Sequence, residues 1–169
     1  MCRWTLHALR ALLVILILTA NIHMVRADQL SLIVNGKAIH LGVPAGMTMN
    51  EKNWGLGLQY DFALIHEHWL PFTTVSGFID SMENPSFYAG GGLMRRYPLG
   101  RHLGTTLHLD AGVVAFLMTR EDFNNRQPFP GVLPAFSIGN NRVAMNLTYI
   151  PKVHPKLIPL WFFQLKFAI

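Results

Sequence analysis

Apolar and polar residues alternate with a period of two along much of the chain. From Trp54 to Phe62, Trp54, Leu56, Leu58, Tyr60 and Phe62 share one face, and Gly55, Gly57, Gln59 and Asp61 share the other. Alternation over nine residues predicts a β-strand with one face against lipid or a core. Leu103, Leu107 and Leu109 oppose Thr106, His108 and Asp110 in the same way. So do Val143, Met145, Leu147 and Tyr149 against Ala144, Asn146 and Thr148, and Trp161, Phe163, Leu165, Phe167 and Ile169 against Gln164 and Lys166.

About eight such segments fit, near 30–40, 54–63, 69–79, 86–96, 103–118, 132–139, 142–150 and 158–169. The predicted fold is all-β, an eight-stranded antiparallel transmembrane β-barrel, whose closure satisfies every backbone donor within lipid. A soluble lipocalin-like barrel would carry its apolar faces inside, whereas here the continuous apolar faces oppose small and polar ones. Short turns are expected around His66–His68, Tyr97–His102 and Gly139–Asn141, with longer loops at 41–53, 80–85, 119–131 and 151–157. Long loops lie on the external side of such barrels, so the second set is expected to face outward.

The first 27 residues read as a signal peptide, with Arg3 and Arg10 ahead of the apolar run Ala11 to Ala20 and a cleavage site at Val25-Arg26-Ala27. The barrel domain is then 28–169, in the outer membrane of a Gram-negative cell. Removing the leader also removes Arg3, Arg10, Arg26 and the single cysteine, Cys2, leaving 11 Lys and Arg against 9 Asp and Glu. The near-neutral balance gives no reason to expect nucleic acid as a partner, and the loss of Cys2 removes disulfide or thiolate chemistry. No metal or cofactor is expected.

Topology brings three chemistry-bearing residues to one rim. Strands one and three both rise toward the outside, the first ending at His40 and the third at Asp80-Ser81. An imidazole, a carboxylate and a hydroxyl are the parts of an acyl-transfer site, although Asp-Ser also opens turns and a histidine can simply end a strand. His108 and Asp110 share an inward face but read as lumen filling. His66-x-His68 lacks a third metal ligand nearby and reads as a solvated turn. Arg120, Arg126, Lys152 and Lys156 on outer loops are candidates for lipid phosphate or are solvated charges.

The C-terminal half carries Pro128-x-Pro130-x-x-x-Pro134, Ser137-x-Gly139 and Thr148-Tyr149-Ile150-Pro151, and upstream stand Phe78-x-Asp80-Ser81 and Ala89-Gly90-x-Gly92. Together with Trp54-Gly55 and Gly57-Leu58, these motifs resemble the lipid A palmitoyltransferase (PagP) family from about His40 to the C-terminus. The resemblance implies a monomeric enzyme that moves a palmitoyl chain from a phospholipid donor to lipid A as acceptor. It implies catalytic roles for His40 as general base, Ser81 as acyl nucleophile or hydrogen-bonding partner, and Asp80 as the group that orients His40 or stabilises its cation.

For substrate binding, the resemblance implies that Gly92 forms the floor of an acyl pocket and that Pro134 and Pro151 interrupt the ladder to open a lateral path for lipid. The chain departs from the family in three places. No room for the family's amphipathic N-terminal helix is expected ahead of strand one, Asn35 and Asn53 stand where the family has prolines at a second lateral opening, and Gly91 and Leu93 replace larger aromatics beside the pocket floor. A non-catalytic small outer-membrane barrel and a lipid A or phospholipid acyl hydrolase are the alternative readings.

Overall fold

The computed structural model describes residues 29–102, 105–152 and 158–169. The expected signal peptide and its cleavage site lie outside the described residues, as do positions 153–157 of the last outer loop. Eight strands run β1 (Gln29–His40), β2 (Lys52–Asp61), β3 (Trp69–Ile79), β4 (Pro85–His102), β5 (Thr105–Thr119), β6 (Phe129–Gly139), β7 (Val143–Ile150) and β8 (Leu160–Ala168). Each pairs antiparallel with its neighbours in chain order, and β8 returns to β1 to close the barrel.

The alternation resolves as predicted. Gln59, Asp61, Asn146, Gln164 and Lys166 are buried in the lumen, whereas Trp54, Leu56, Val75, Val113 and Val132 are exposed on the outer surface. Apolar outside and polar inside is the arrangement of a barrel solvated by lipid. The lumen is itself divided. Leu70, Phe72, Met94, Val114 and Ala135 pack into an apolar cluster against β3 to β6. Elsewhere Lys166 Nζ lies 2.8 Å from Asp61 Oδ2, Gln59 donates to Asp61, and Asn146 donates to Gln59. Arg96 holds Asp110 with two bonds of 2.9 Å, and His108 stands 3.5 Å from the same carboxylate. His108 and Asp110 thus belong to a lumen-filling network.

Several strand boundaries differ from expectation. The turn predicted over Tyr97–His102 is strand, because β4 runs to His102, and the link to β5 lies beyond it. Pro98 and Gly100, which read as turn residues, instead flank a register shift in the β4–β5 ladder. The ladder to β3 has already ended at Trp69 and Arg95, so Pro98 sits on an edge where its missing N–H breaks no bond. At the other end β6 begins at Phe129, three residues ahead of the predicted start.

A break in the wall falls beside the predicted prolines. β6 pairs with β5 over its full length, but with β7 only from Ala135–Thr148 to Gly139–Ala144. Phe129 to Pro134 therefore have no ladder partner on the β7 side, and neither do Tyr149 and Ile150 on β7. Pro134 is the first residue beyond the paired stretch, next to Ala135, and Pro151 follows the end of β7. Neither can donate a backbone hydrogen bond, so neither can extend the ladder upward. The β1–β2 seam, by contrast, is laddered from Gln29–Asp61 to Lys37–Lys52 with one register shift. Asn35 and Asn53 beside that seam turn inward and donate to Ser76 Oγ and to the Ile79 carbonyl.

Candidate active site at the outer rim

His40 reaches the lumen because β1 changes parity. Below the irregularity between Asn35 and Ala38, the inward residues are Ser31, Ile33 and Asn35; above it they are Ala38 and His40. A one-residue shift in a strand moves all later side chains to the opposite face, so without this bulge His40 would point outward with its neighbour Ile39. The strand ladder then places His40 opposite Leu160, which is itself opposite Ile150 at the top of β7.

Asp80 and Ser81 follow the last residue of β3 and lie in a tight turn, which releases both from strict alternation. His40 Nε2 and Ser81 Oγ are 2.9 Å apart, and both residues are buried. That distance is a direct hydrogen bond between an imidazole and a hydroxyl, the pairing that activates a serine or an incoming alcohol. His40 Nδ1 is buried with no hydrogen-bond partner among the described residues.

Asp80, expected to orient His40 or stabilise its cation, makes its hydrogen bonds within its own turn and to β4. Its Oδ1 accepts from the backbone N–H groups of Met82 at 2.8 Å and Asn84 at 3.0 Å, and its Oδ2 accepts from Ser86 Oγ at 3.0 Å. Arg120 Nε approaches Oδ2 to 3.5 Å. These contacts fix the turn that carries Ser81; the bonded partner of His40 is Ser81 itself.

Asn50, which no motif singles out, ties the loop after β1 to this turn. Its backbone N–H donates to the Ser81 carbonyl at 3.0 Å, and its side chain donates to the Asp80 carbonyl at 3.0 Å. The loop after His40 and the turn after Ile79 are thereby joined. The sequence signal was weak because both acceptors are main-chain carbonyls, which carry no residue identity.

Beneath the dyad lies a largely apolar cavity of about 120 Å³. Phe72, Phe78, Met94, Phe116, Leu133 and Phe162 form much of its wall, and Asp80, Ser81 and Arg120 lie along its lining. Gly92 stands one layer behind this wall. A Cβ built on it would come within 2.3 Å of the Val113 carbonyl oxygen and 2.6 Å of Phe72 Cζ, so the bare glycine lets both the β5 backbone and the phenyl ring lie against β4. Phe72 is opposite Gly92 in the β3–β4 ladder.

The remaining candidates fall elsewhere. Arg126 pairs with Glu121, and Arg120 holds Asp122 through two bonds of 3.0 Å. Lys152 is exposed, and Lys156 lies outside the described residues. His66 and His68 are exposed at the opposite end of the barrel, and among the described residues no group of three metal-ligating side chains occurs.

Comparison with known proteins returns one family. The model of the "Antimicrobial peptide resistance and lipid A acylation protein PagP" matches residues 46–163. Asp80, Ser81, Gly92, Pro134 and Pro151 fall within that match, and His40 falls six residues before it. The "Lipid A acyltransferase PagP" proteins of Bordetella pertussis and Bordetella bronchiseptica are each 34% identical over 104 residues, covering 62% of this chain and 54% of theirs. That of Methylobacillus flagellatus is 31% identical over the same coverage. The chain thus spans about half the length of the curated relatives it matches. Among solved structures, the Yersinia pestis outer membrane protein Ail in a phospholipid bilayer nanodisc is similar with a TM-score of 0.42 at 10% identity, over 83% of this chain and 99% of that one.

Proposed function

The chain belongs to the PagP family of antimicrobial peptide resistance and lipid A acylation proteins, and from that premise we propose that it is an outer-membrane acyltransferase moving a palmitoyl or similarly long acyl chain from a phospholipid to lipid A. The observation that carries this reading is the His40 Nε2 to Ser81 Oγ bond at the mouth of an apolar cavity. The dyad supplies a base beside a hydroxyl, and the cavity beneath can hold a hydrocarbon chain while its ester carbonyl stays at the rim. The apolar outer wall supports residence in the membrane, where donor and acceptor are both found. The closed barrel leaves no unpaired β1 or β8 edge to recruit a second copy, which favours a monomer.

In the mechanism we propose, His40 takes the Ser81 proton as Oγ attacks the donor's ester carbonyl. The resulting tetrahedral intermediate expels the lysophospholipid oxygen, which leaves with that proton and leaves the acyl group on Ser81. A lipid A hydroxyl then attacks the acyl-serine, His40 takes its proton, and Ser81 Oγ departs and recovers one. The unpaired stretch between β6 and β7, bounded by Pro134 and Pro151, is the proposed lateral entry for lipid. Rates of labelled acyl transfer from phospholipid to lipid A by His40→Ala and Ser81→Ala test this reading.

The pocket floor is proposed to be Phe72 seated on Gly92. Each methylene of a donor chain that can no longer be buried loses about 0.8 kcal/mol. Gly92→Met crowds the ring and also the Val113 carbonyl of β5, so in the folded fraction, read by heat-modifiable migration, its preference is expected to move toward shorter chains; Phe72→Leu deepens the pocket, and its preference is expected to move toward longer ones. Transfer rates from phospholipid donors that differ only in chain length measure both shifts. Unchanged length profiles in both variants would place the floor elsewhere.

A further inference from the structure

The tops of three adjacent strands are joined at one carboxylate. Asp80 follows β3, Ser86 lies at the start of β4 and Arg120 follows β5. Ser86 donates to Asp80 Oδ2, and Arg120 Nε stands 3.5 Å from the same oxygen. The Asp80 side chain is 3% exposed and that of Arg120 20%, so the carboxylate is held in a largely dry setting where an uncompensated charge is costly. The same Nε, together with Nη2, donates to Asp122 at 3.0 Å, so Asp122 takes the hydrogen bonds and Asp80 stands in ion-pair range. Arg120 is therefore fastened to two carboxylates.

From this arrangement we infer that Arg120 is a positioning residue for acyl transfer, acting through Asp80 to hold the Ser81 turn in register with His40. The inference rests on the acyl-transfer reading of the His40–Ser81 dyad. The chain of contacts is continuous. Arg120 compensates the charge of Asp80; Asp80 Oδ1 draws in the N–H groups of Met82 and Asn84; that turn holds Ser81 Oγ 2.9 Å from His40 Nε2. A displacement on the order of 1 Å between reacting groups costs roughly 100-fold in rate. A residue outside the dyad can thus control its activity.

An alternative assigns Arg120 to the donor's phosphate, since it lies at the cavity mouth. Asp80 and Asp122 already balance its single guanidinium charge, which favours the positioning role. The two roles separate in kinetics. Purified full-length Arg120→Gln, Asp80→Asn and the double variant are assayed for transfer from a phosphatidylcholine donor in micelles. The positioning role predicts that Arg120→Gln loses about 10- to 100-fold in kcat with the donor KM within about twofold of the parent. Because the two residues act in series, the double variant is expected within about threefold of the slower single one.

A raised KM with unchanged kcat would make Arg120 a headgroup ligand, and losses that multiply in the double variant would separate it from Asp80. Amide hydrogen exchange gives a readout free of activity: the Met82 and Asn84 N–H groups are expected to exchange faster in Arg120→Gln, while strand amides of β3 and β4 keep their protection. Unchanged exchange at both positions would overturn the inference. If the parent chain itself transfers no acyl group, the proposed function fails, and the exchange measurement still decides whether Arg120 holds the turn.

Discussion

His40→Ala and Ser81→Ala are each expected to lower acyl transfer about 10³-fold or more while the barrel stays folded, because general-base and nucleophilic groups that act as one unit lose nearly everything when either is removed. Both residues lie at the rim, His40 as the last residue of β1 and Ser81 in the turn after β3, so neither substitution removes a ladder bond from the middle of the wall. The measurement is the rate of transfer of a labelled acyl chain from phospholipid to lipid A in micelles, with heat-modifiable gel migration reporting the folded barrel. Near-parental activity in His40→Ala would eliminate the base. A loss of only about tenfold in Ser81→Ala would assign the attack to the acceptor hydroxyl, leaving Ser81 to orient the imidazole.

Lys166→Met is expected to destabilise the barrel by about 3–5 kcal/mol, because it strands Asp61 inside the lumen. The two side chains are 6% and 5% exposed and 2.8 Å apart, and Gln59 completes the carboxylate's shell. Replacing both partners removes the stranded charge, so Asp61→Asn with Lys166→Met is expected to regain most of that loss. Lys37→Met supplies the contrast: its pair with Glu51 is 3.6 Å long and well exposed, so the change is expected to stay within about 0.5 kcal/mol. Urea unfolding in phospholipid vesicles measures all three. A Lys166→Met effect under about 1 kcal/mol would show that water reaches Asp61.

The barrel was legible because its lipid-facing and lumen-facing residues alternate, as at Trp54 to Phe62, where period two needs no tertiary information. The rim positions of His40 and Asp80-Ser81 followed from counting strands and loop lengths. Finer features depend on register, which period two leaves open. The bulge between Asn35 and Ala38 that turns His40 inward leaves no mark in the alternation of so short a segment. Phe72 covers Gly92 only because those two residues face each other across β3 and β4. Pro98 and Gly100 read as a turn because turn residues are also the residues of a bulged edge. Asn50, and the pairing of Arg120 with Asp80, could be seen only once three loops were brought together.

The central claim is that this barrel adds an acyl chain to lipid A, and mass spectrometry of lipid A tests it most directly. Lipid A is compared from outer membranes of Gram-negative cells lacking any such enzyme, expressing either the parent chain or Ser81→Ala at equal folded levels. The account predicts a species heavier by one long acyl chain with the parent and none with Ser81→Ala. Identical spectra from the two strains, or released fatty acid with no heavier lipid A, would contradict it.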